Sequence, residues 1–317
     1  MPIKIPNDLP ARQFLEQEGL AVMREKDAAR QEVRPMRVAL LNLMPQKEKT
    51  EIQLARLIGS TPLQVEMTLV TTSSYTPIHT SRQHMLDFYR PWEEIKDEKF
   101  DALIITGAPI ELLPFAEVKY WDELTRILDW SQSHVNQTLG LCWGAQAALY
   151  HFYGVPKYEL PRKMFGVFEH RIVTPNSTLL RGFTDRFPVP VSRHTEVRRE
   201  DLPDSPGIQV LADSEQAGLC MIQDLERRHI YMFNHLEYDA TTLGDEYARD
   251  VSEGLPIDVP ANYFPDDDPE RAPANQWRSH AHLFIGNWIN NVYQTSPAEI
   301  SQIGADPAPS RPARTEG

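Results

Sequence analysis

Leu139-Gly140-Leu141-Cys142-Trp143-Gly144-Ala145-Gln146 is the stretch that decides the fold. An apolar run reaches a single thiol and passes at once into small, helix-forming residues. Glycines two before and two after the cysteine permit the sharp strand-to-helix turn that lifts a nucleophile out of a sheet. Such a turn lies at the carboxyl edge of an open α/β sheet, where ligands bind. A helix starting at Gly144 would aim its positive end at the sulfur and favour the thiolate. The free N–H groups near Trp143 could hold an oxyanion.

The segments before this turn agree with it. Met36 to Met44 is a nearly continuous apolar run, as expected of a buried parallel strand. Thr50 to Ile58 has helical spacing, with Gly59 as the expected C-cap. Val65–Val70 and Phe100–Thr106 read as further strands, Trp121–Ser133 as a helix and Thr138–Leu141 as a fourth strand. Alternation of this kind predicts βαβ units and a mostly parallel sheet covered by helices. After Gly154, short strands at Val210–Asp213, Gly218–Ile222 and His229–Phe233 predict an antiparallel extension of that sheet. Trp277, Ala281, Phe284, Ile285, Trp288 and Val292 predict a C-terminal helix. Leu9 to Arg34 reads as an amphipathic N-terminal helix, and the Pro-, Ala- and Ser-rich residues from Ser296 onward read as a disordered tail. The expected organisation is therefore a helical extension over 1–35, a catalytic domain over 36–295 and a tail over 296–317.

A nucleophilic cysteine needs a base, and the base needs an orienting group. Phe233-Asn-His-Leu-Glu-Tyr238 supplies both late in the chain: His235 at a strand end, with Glu237 two residues on. In an extended segment residues i and i+2 face the same way, which would set the carboxylate beside the imidazole. His280 and His282 lie two apart on a predicted helix and make a poor metal pair. His194 is weighed as pocket-lining but reads better as structural, and Cys220, inside an apolar strand, reads as core. Two cysteines make neither a disulfide framework nor a metal signature. The net charge of −13 argues against a nucleic-acid surface. No apolar run is long enough for a membrane span, and the first ten residues lack a secretory signal. A reducing, cytoplasmic setting follows.

The Gly-Leu-Cys-Trp-Gly turn with a later His-x-Glu resembles class I glutamine amidotransferases. A longer, collinear set of motifs resembles the homoserine O-acyltransferases of methionine biosynthesis (the MetA family). These motifs are Met1-Pro-Ile-Lys-Ile-Pro6, Leu41-Asn-Leu-Met-Pro45 with Lys47 and Thr50-Glu51, Thr106-Gly-Ala-Pro109, Tyr120-Trp121, Gly140–Gly144 and Asn234–Asp239. The resemblance implies a class I glutamine amidotransferase-like fold with no metal or organic cofactor, acetyl-CoA and L-homoserine as substrates, and a cytoplasmic homodimer. It implies Cys142 as the acyl-carrying nucleophile, His235 as proton acceptor and Glu237 as its orienter. Lys163, Ser192 and Arg249 match substrate-binding positions. The planar fork of Arg249 suits a carboxylate, and Glu246, on the same helix face, suits the substrate ammonium. Glu111 matches the position that separates donors in the family, glycine accompanying succinyl transfer and glutamate acetyl transfer. Succinyl transfer and glutamine hydrolysis are the alternative activities. A catalytically inert binding module is the third reading, disfavoured by the complete triad.

Overall fold

The computed structural model describes residues 3–6, 8–17, 22–23, 34–74 and 80–304. The first half runs β1 (Ile3–Lys4), α1 (Pro10–Gln17), β2 (Val22–Met23), β3 (Met36–Leu41), α2 (Lys47–Gly59) and β4 (Val65–Thr71). It continues with α3 (Arg82–Phe88), β5 (Tyr89–Pro91), α4 (Trp92–Ile95), β6 (Phe100–Ile105), α5 (Trp121–His134), β7 (Val135–Leu141) and α6 (Trp143–Tyr153). The second half holds β8 (Tyr158–Ile172), β9 (Arg186–Glu196), β10 (Ile208–Ser214), β11 (Gly218–Asp224), β12 (His229–Met232), α7 (Thr242–Ser252) and α8 (Arg278–Thr295).

The strands of the described residues join one sheet in the order β2-β1-β4-β3-β6-β7-β12-β11-β10-β8-β9, with β5 beside β4. From β2 to β12 neighbours run parallel, and from β12 to β9 antiparallel. β6 and β7 are buried along their whole length because both faces of the sheet are covered. Alternate side chains serve opposite cores, as the two-residue period of a strand requires. Val38, Leu40, Ala102 and Ile104 pack with Leu54 and Ile58 of α2 and Trp288 of α8. Ala39, Leu41, Leu103 and Ile105 pack with Leu124 of α5 and Ala148 of α6.

Three expectations are corrected. Among the described residues the N-terminal helix covers Pro10–Gln17, and Val22–Met23 is a strand; residues 18–21 and 24–33 lie outside the described residues. β1 pairs with β4, and Leu9 and Leu15 sit in the main core, so this segment is part of the α/β body. The tail expected from Ser296 is packed as far as Gly304: Ile303 is 2% exposed, and Lys99 Nζ donates to the Ser301 carbonyl at 2.9 Å. Residues 305–317 lie outside the described residues. The helix expected to end before Gly59 runs through it, with Ser60 as C-cap.

The two longest strands, β8 and β9, have no counterpart in the sequence reading. β9 carries Pro188 and Pro190, residues that argue against a central strand because each lacks an N–H for the ladder. Its place at the end of the sheet removes the conflict.

Candidate active site

β7 ends at Leu141 and α6 begins at Trp143, leaving Cys142 alone on the turn between them. Its backbone stands at φ 49°, ψ −117°, a strained region that non-glycine residues occupy only where their surroundings enforce it. The surroundings are visible. The Cys142 N–H donates to the Met232 carbonyl of β12 at 2.7 Å, and its own carbonyl accepts from Ala145 and Gln146 N–H. Gly140 and Gly144 let the chain close around it. A Cβ at Gly144 would lie 2.6 Å from the Thr106 carbonyl oxygen, and one at Gly140 2.9 Å from Ala145 Cα. Gly107, on the loop after β6, comes so near that its own Cβ would stand 3.1 Å from Cys142 Cβ. Trp143 N–H occupies the first turn of α6, where no intrahelical acceptor exists.

His235 arrives from the neighbouring strand. β12 ends at Met232, and His235 N–H donates to the Pro190 carbonyl of β9 at 2.9 Å. The edge strand thus fixes the base. Nδ1 of His235 meets Glu237 Oε1 at 2.6 Å. The segment is a turn rather than the extended chain expected, with Tyr238 N–H reaching back to the His235 carbonyl at 3.4 Å. The pairing stands, for a different local reason. The Cys142 side chain acts electrostatically on the same imidazole. Burial alone would lower the His235 pKa, but the Glu237 carboxylate and Cys142 outweigh it. His235 is held well above its ordinary value.

Lys163 of β8, Ser192 of β9 and Glu246 of α7 converge. Lys163 Nζ donates to Glu246 Oε1 at 2.6 Å and Ser192 Oγ to the same oxygen at 2.8 Å, with Lys163 also 3.3 Å from Asp250. Arg249 is placed less deeply. Its side chain is 54% exposed and its fork is turned onto Asp250 Oδ1, at 2.8 Å from Nε and 2.5 Å from Nη2. Glu111 is also engaged: its Oε2 accepts from His194 N–H, Thr195 N–H and Thr195 Oγ1 at 2.9, 3.1 and 3.1 Å. The loop after β6 is thereby stapled to β9. A cavity of about 280 Å³ adjoins that loop, lined in part by Asn42, Lys47, Ala108, Ile110 and Tyr120.

Cys220 is fully buried and its thiol is pushed up to about 12 by burial, which suits a core residue. His194 gives the site its backbone N–H. Two residues had escaped the sequence reading. Tyr238 stacks on the His235 ring, with centroids 4.1 Å apart and planes 15° from parallel. Arg193 is 3% exposed, and its described partners are neutral oxygens, among them Asn234 Oδ1 at 2.8 Å; Asn234 in turn meets His170 Nε2 at 2.8 Å. Their positions beside Ser192 and Glu237 were the available signal. Among the described residues no group of three or more His, Cys, Asp or Glu could hold a metal ion, and no helix is long and apolar enough to cross a membrane.

The fold and the motifs have known counterparts. A glutamine amidotransferase from Thermotoga maritima superimposes with a TM-score of 0.53 at 14% identity, covering 82% of this chain and 98% of that one. A putative GMP synthase protein from Thermoplasma acidophilum gives 0.50 at 16%, with the same coverage. These likenesses speak for the fold alone. Homoserine O-acetyltransferases of Brucella canis and Brucella suis are each 58% identical over 304 residues, 96% of this chain and 99% of theirs. A family model described as homoserine O-succinyltransferase matches residues 2–298. With one model spanning nearly the whole chain and relatives this similar, the protein belongs to the homoserine O-succinyltransferase family of acyltransferases.

Proposed function

We propose that the protein transfers an acetyl group from acetyl-CoA to the hydroxyl of L-homoserine, through a thioester on Cys142. The observation that carries this reading is the Cys142–His235–Glu237 arrangement at the carboxyl edge of the sheet, in a chain 58% identical to homoserine O-acetyltransferases. The Cys142 thiolate attacks the thioester carbonyl, and the N–H of Trp143 with one from the Gly107–Ile110 loop receives the oxyanion. The C–S bond to coenzyme A breaks, and the departing thiolate takes the proton from His235. Homoserine then enters; neutral His235 removes its hydroxyl proton, the alkoxide attacks the acyl carbon, and Cys142 leaves as thiolate. Glu237 keeps the imidazole in register throughout.

Lys163, Ser192 and Glu246 form the acceptor side, with the Glu246 carboxylate taking the homoserine ammonium. Arg249 takes the homoserine carboxylate after exchanging Asp250 for substrate, a swap its exposure allows. The reading extends to a cytoplasmic homodimer that works without an organic cofactor.

Glu111 selects the donor. Its carboxylate already holds three hydrogen bonds to β9, so its effect on a longer acyl chain is chiefly one of space. Repulsion of a succinyl carboxylate adds to this, since like charges about 4 Å apart cost on the order of 4 kcal/mol at an effective dielectric of about 20. A second reading, succinyl transfer, is favoured by the description of the family model. Measuring kcat/KM with acetyl-CoA and succinyl-CoA, in the parent and in Glu111→Gly, separates the two. The parent should prefer acetyl-CoA, and the variant should gain succinyl transfer. A parent that prefers succinyl-CoA would overturn the donor assignment.

A further inference from the structure

We infer that the phenol ring of Tyr238 sets the plane of the His235 imidazole and stabilises its protonated form, making Tyr238 a positioning residue for both proton transfers. The inference rests on the reading above, in which His235 gives a proton in one half-reaction and takes one in the other. Three groups define the imidazole. Glu237 holds its Nδ1 edge at 2.6 Å, and the Cys142 side chain acts on the ring as well. Edge contacts leave the tilt of a planar ring free, whereas the Tyr238 face, 4.1 Å away and nearly parallel, removes that freedom. An aromatic face also carries negative charge density that favours a cation over it, so the imidazolium gains more from the stack than the neutral ring does.

Tyr238 is itself held in place. The tight turn from His235 sets Glu237 at the imidazole's edge and Tyr238 over its face. Trp277 Nε1, at the N-cap of α8, donates to the Tyr238 carbonyl at 2.8 Å, and Trp277 is fully buried. The C-terminal helix therefore reaches the proton-transfer group through one indole. Burial raises the Tyr238 pKa well above its ordinary value, and the charges of Glu246, Glu237, Cys142 and Glu111 raise it further. The phenol stays neutral at any working pH, so its contribution is the ring and not a proton.

The full-length protein with Tyr238→Phe, which keeps the ring face, and with Tyr238→Leu, which removes it, decides the matter. Steady-state kinetics with acetyl-CoA and homoserine give the split between kcat and KM, and ¹⁵N-histidine NMR follows the His235 ring against pH. Tyr238→Phe should keep kcat within about threefold of the parent. Tyr238→Leu should lower it by about 10–100-fold, part of what removing a proton-transfer group costs, with both KM values within about twofold. Its imidazole should lose its proton at lower pH than the parent's. Should Tyr238→Leu not fold, Tyr238→Met removes the ring at similar volume. Kinetics and titration in the Leu or Met variant equal to the parent's would overturn the inference. So would a Phe variant as impaired as the Leu variant, which would move the role to the hydroxyl. A parent without acyl transfer from any acyl-CoA would instead sink the functional reading, whatever the variants do.

Discussion

The parallel half of the sheet and its antiparallel extension build the same site by opposite means. The parallel half delivers one atom, Cys142 Sγ, on a strained turn whose position the buried strands β6 and β7 enforce. The extension delivers a surface: Lys163 from β8, Ser192 and the Pro190 carbonyl from β9, and α7 packed above them. His235 sits at their meeting point, its strand parallel to β7 on one side and antiparallel to β11 on the other. On the proposed reading, chemistry is concentrated in the first region and recognition in the second. Substitutions in the two regions should separate accordingly.

The junction should show the largest effect. His235→Ala should lose about 10²–10⁴-fold in kcat, because the base acts in both half-reactions. Glu237→Gln, which keeps the shape and removes the charge that raises the imidazole pKa, should lose less. Steady-state assays of the two variants check the ranking, and equal activity of His235→Ala and the parent would refute the triad.

One glycine from each region separates the two. Gly144→Ala places a methyl 2.6 Å from the Thr106 carbonyl oxygen, and Gly166→Ala, at φ +146°, places one 2.4 Å from the Ala261 carbonyl oxygen. Both should cost about 1–3 kcal/mol in urea denaturation. Their kinetics should differ. Gly144→Ala displaces the turn that carries Cys142 and should lower kcat. Gly166→Ala distorts β8 next to Phe165, the partner of Ser192, and should raise the KM for homoserine instead.

The most gradual effect is one of pH, and it also belongs to the extension. Burial depresses the pKa of His170 on β8 to about 4, from an ordinary value of 6.5. A histidine with a lower pKa folded than unfolded binds its proton more readily in the unfolded chain. Its contribution to stability is therefore intact above about pH 6.5 and falls as pH drops toward 4. The limit is ~3 kcal/mol, from ~1.4 kcal/mol per pH unit. His170→Gln should flatten the stability profile over that window, apart from the share of His229, whose pKa burial lowers to about 3. An unchanged slope would show that His170 is not neutral in the folded protein.

The same division decided what could be read from the sequence. A buried parallel strand is an apolar run and a nucleophile turn is a glycine pattern, so Met36–Met44 and Gly140–Gly144 announce themselves. The nearby His-x-Glu was found from its chain order, although its geometry is a turn and not a strand. β8 and β9 were not legible. β8 is half-exposed and interrupted by Pro161, Arg162 and Lys163, so no alternation survives, and β9 contains two prolines that only an edge position tolerates. Lys163 and Ser192 consequently came from family resemblance alone. Arg193 is held by contacts distant in sequence, and the Tyr238 stack depends on a tight turn where an extended segment was expected. The fate of the C-terminal segment turned on Ile303, the buried one of two isoleucines in a stretch of otherwise disorder-prone composition.

Both half-reactions require the acyl group to rest on Cys142 between them. Intact-protein mass spectrometry after mixing the enzyme with acetyl-CoA alone tests this most directly, with Cys142→Ala as the control. One acetyl adduct should form on the parent, should be absent from Cys142→Ala, and should disappear from the parent when homoserine is added. An adduct that survives Cys142→Ala, with turnover retained, would contradict the assignment.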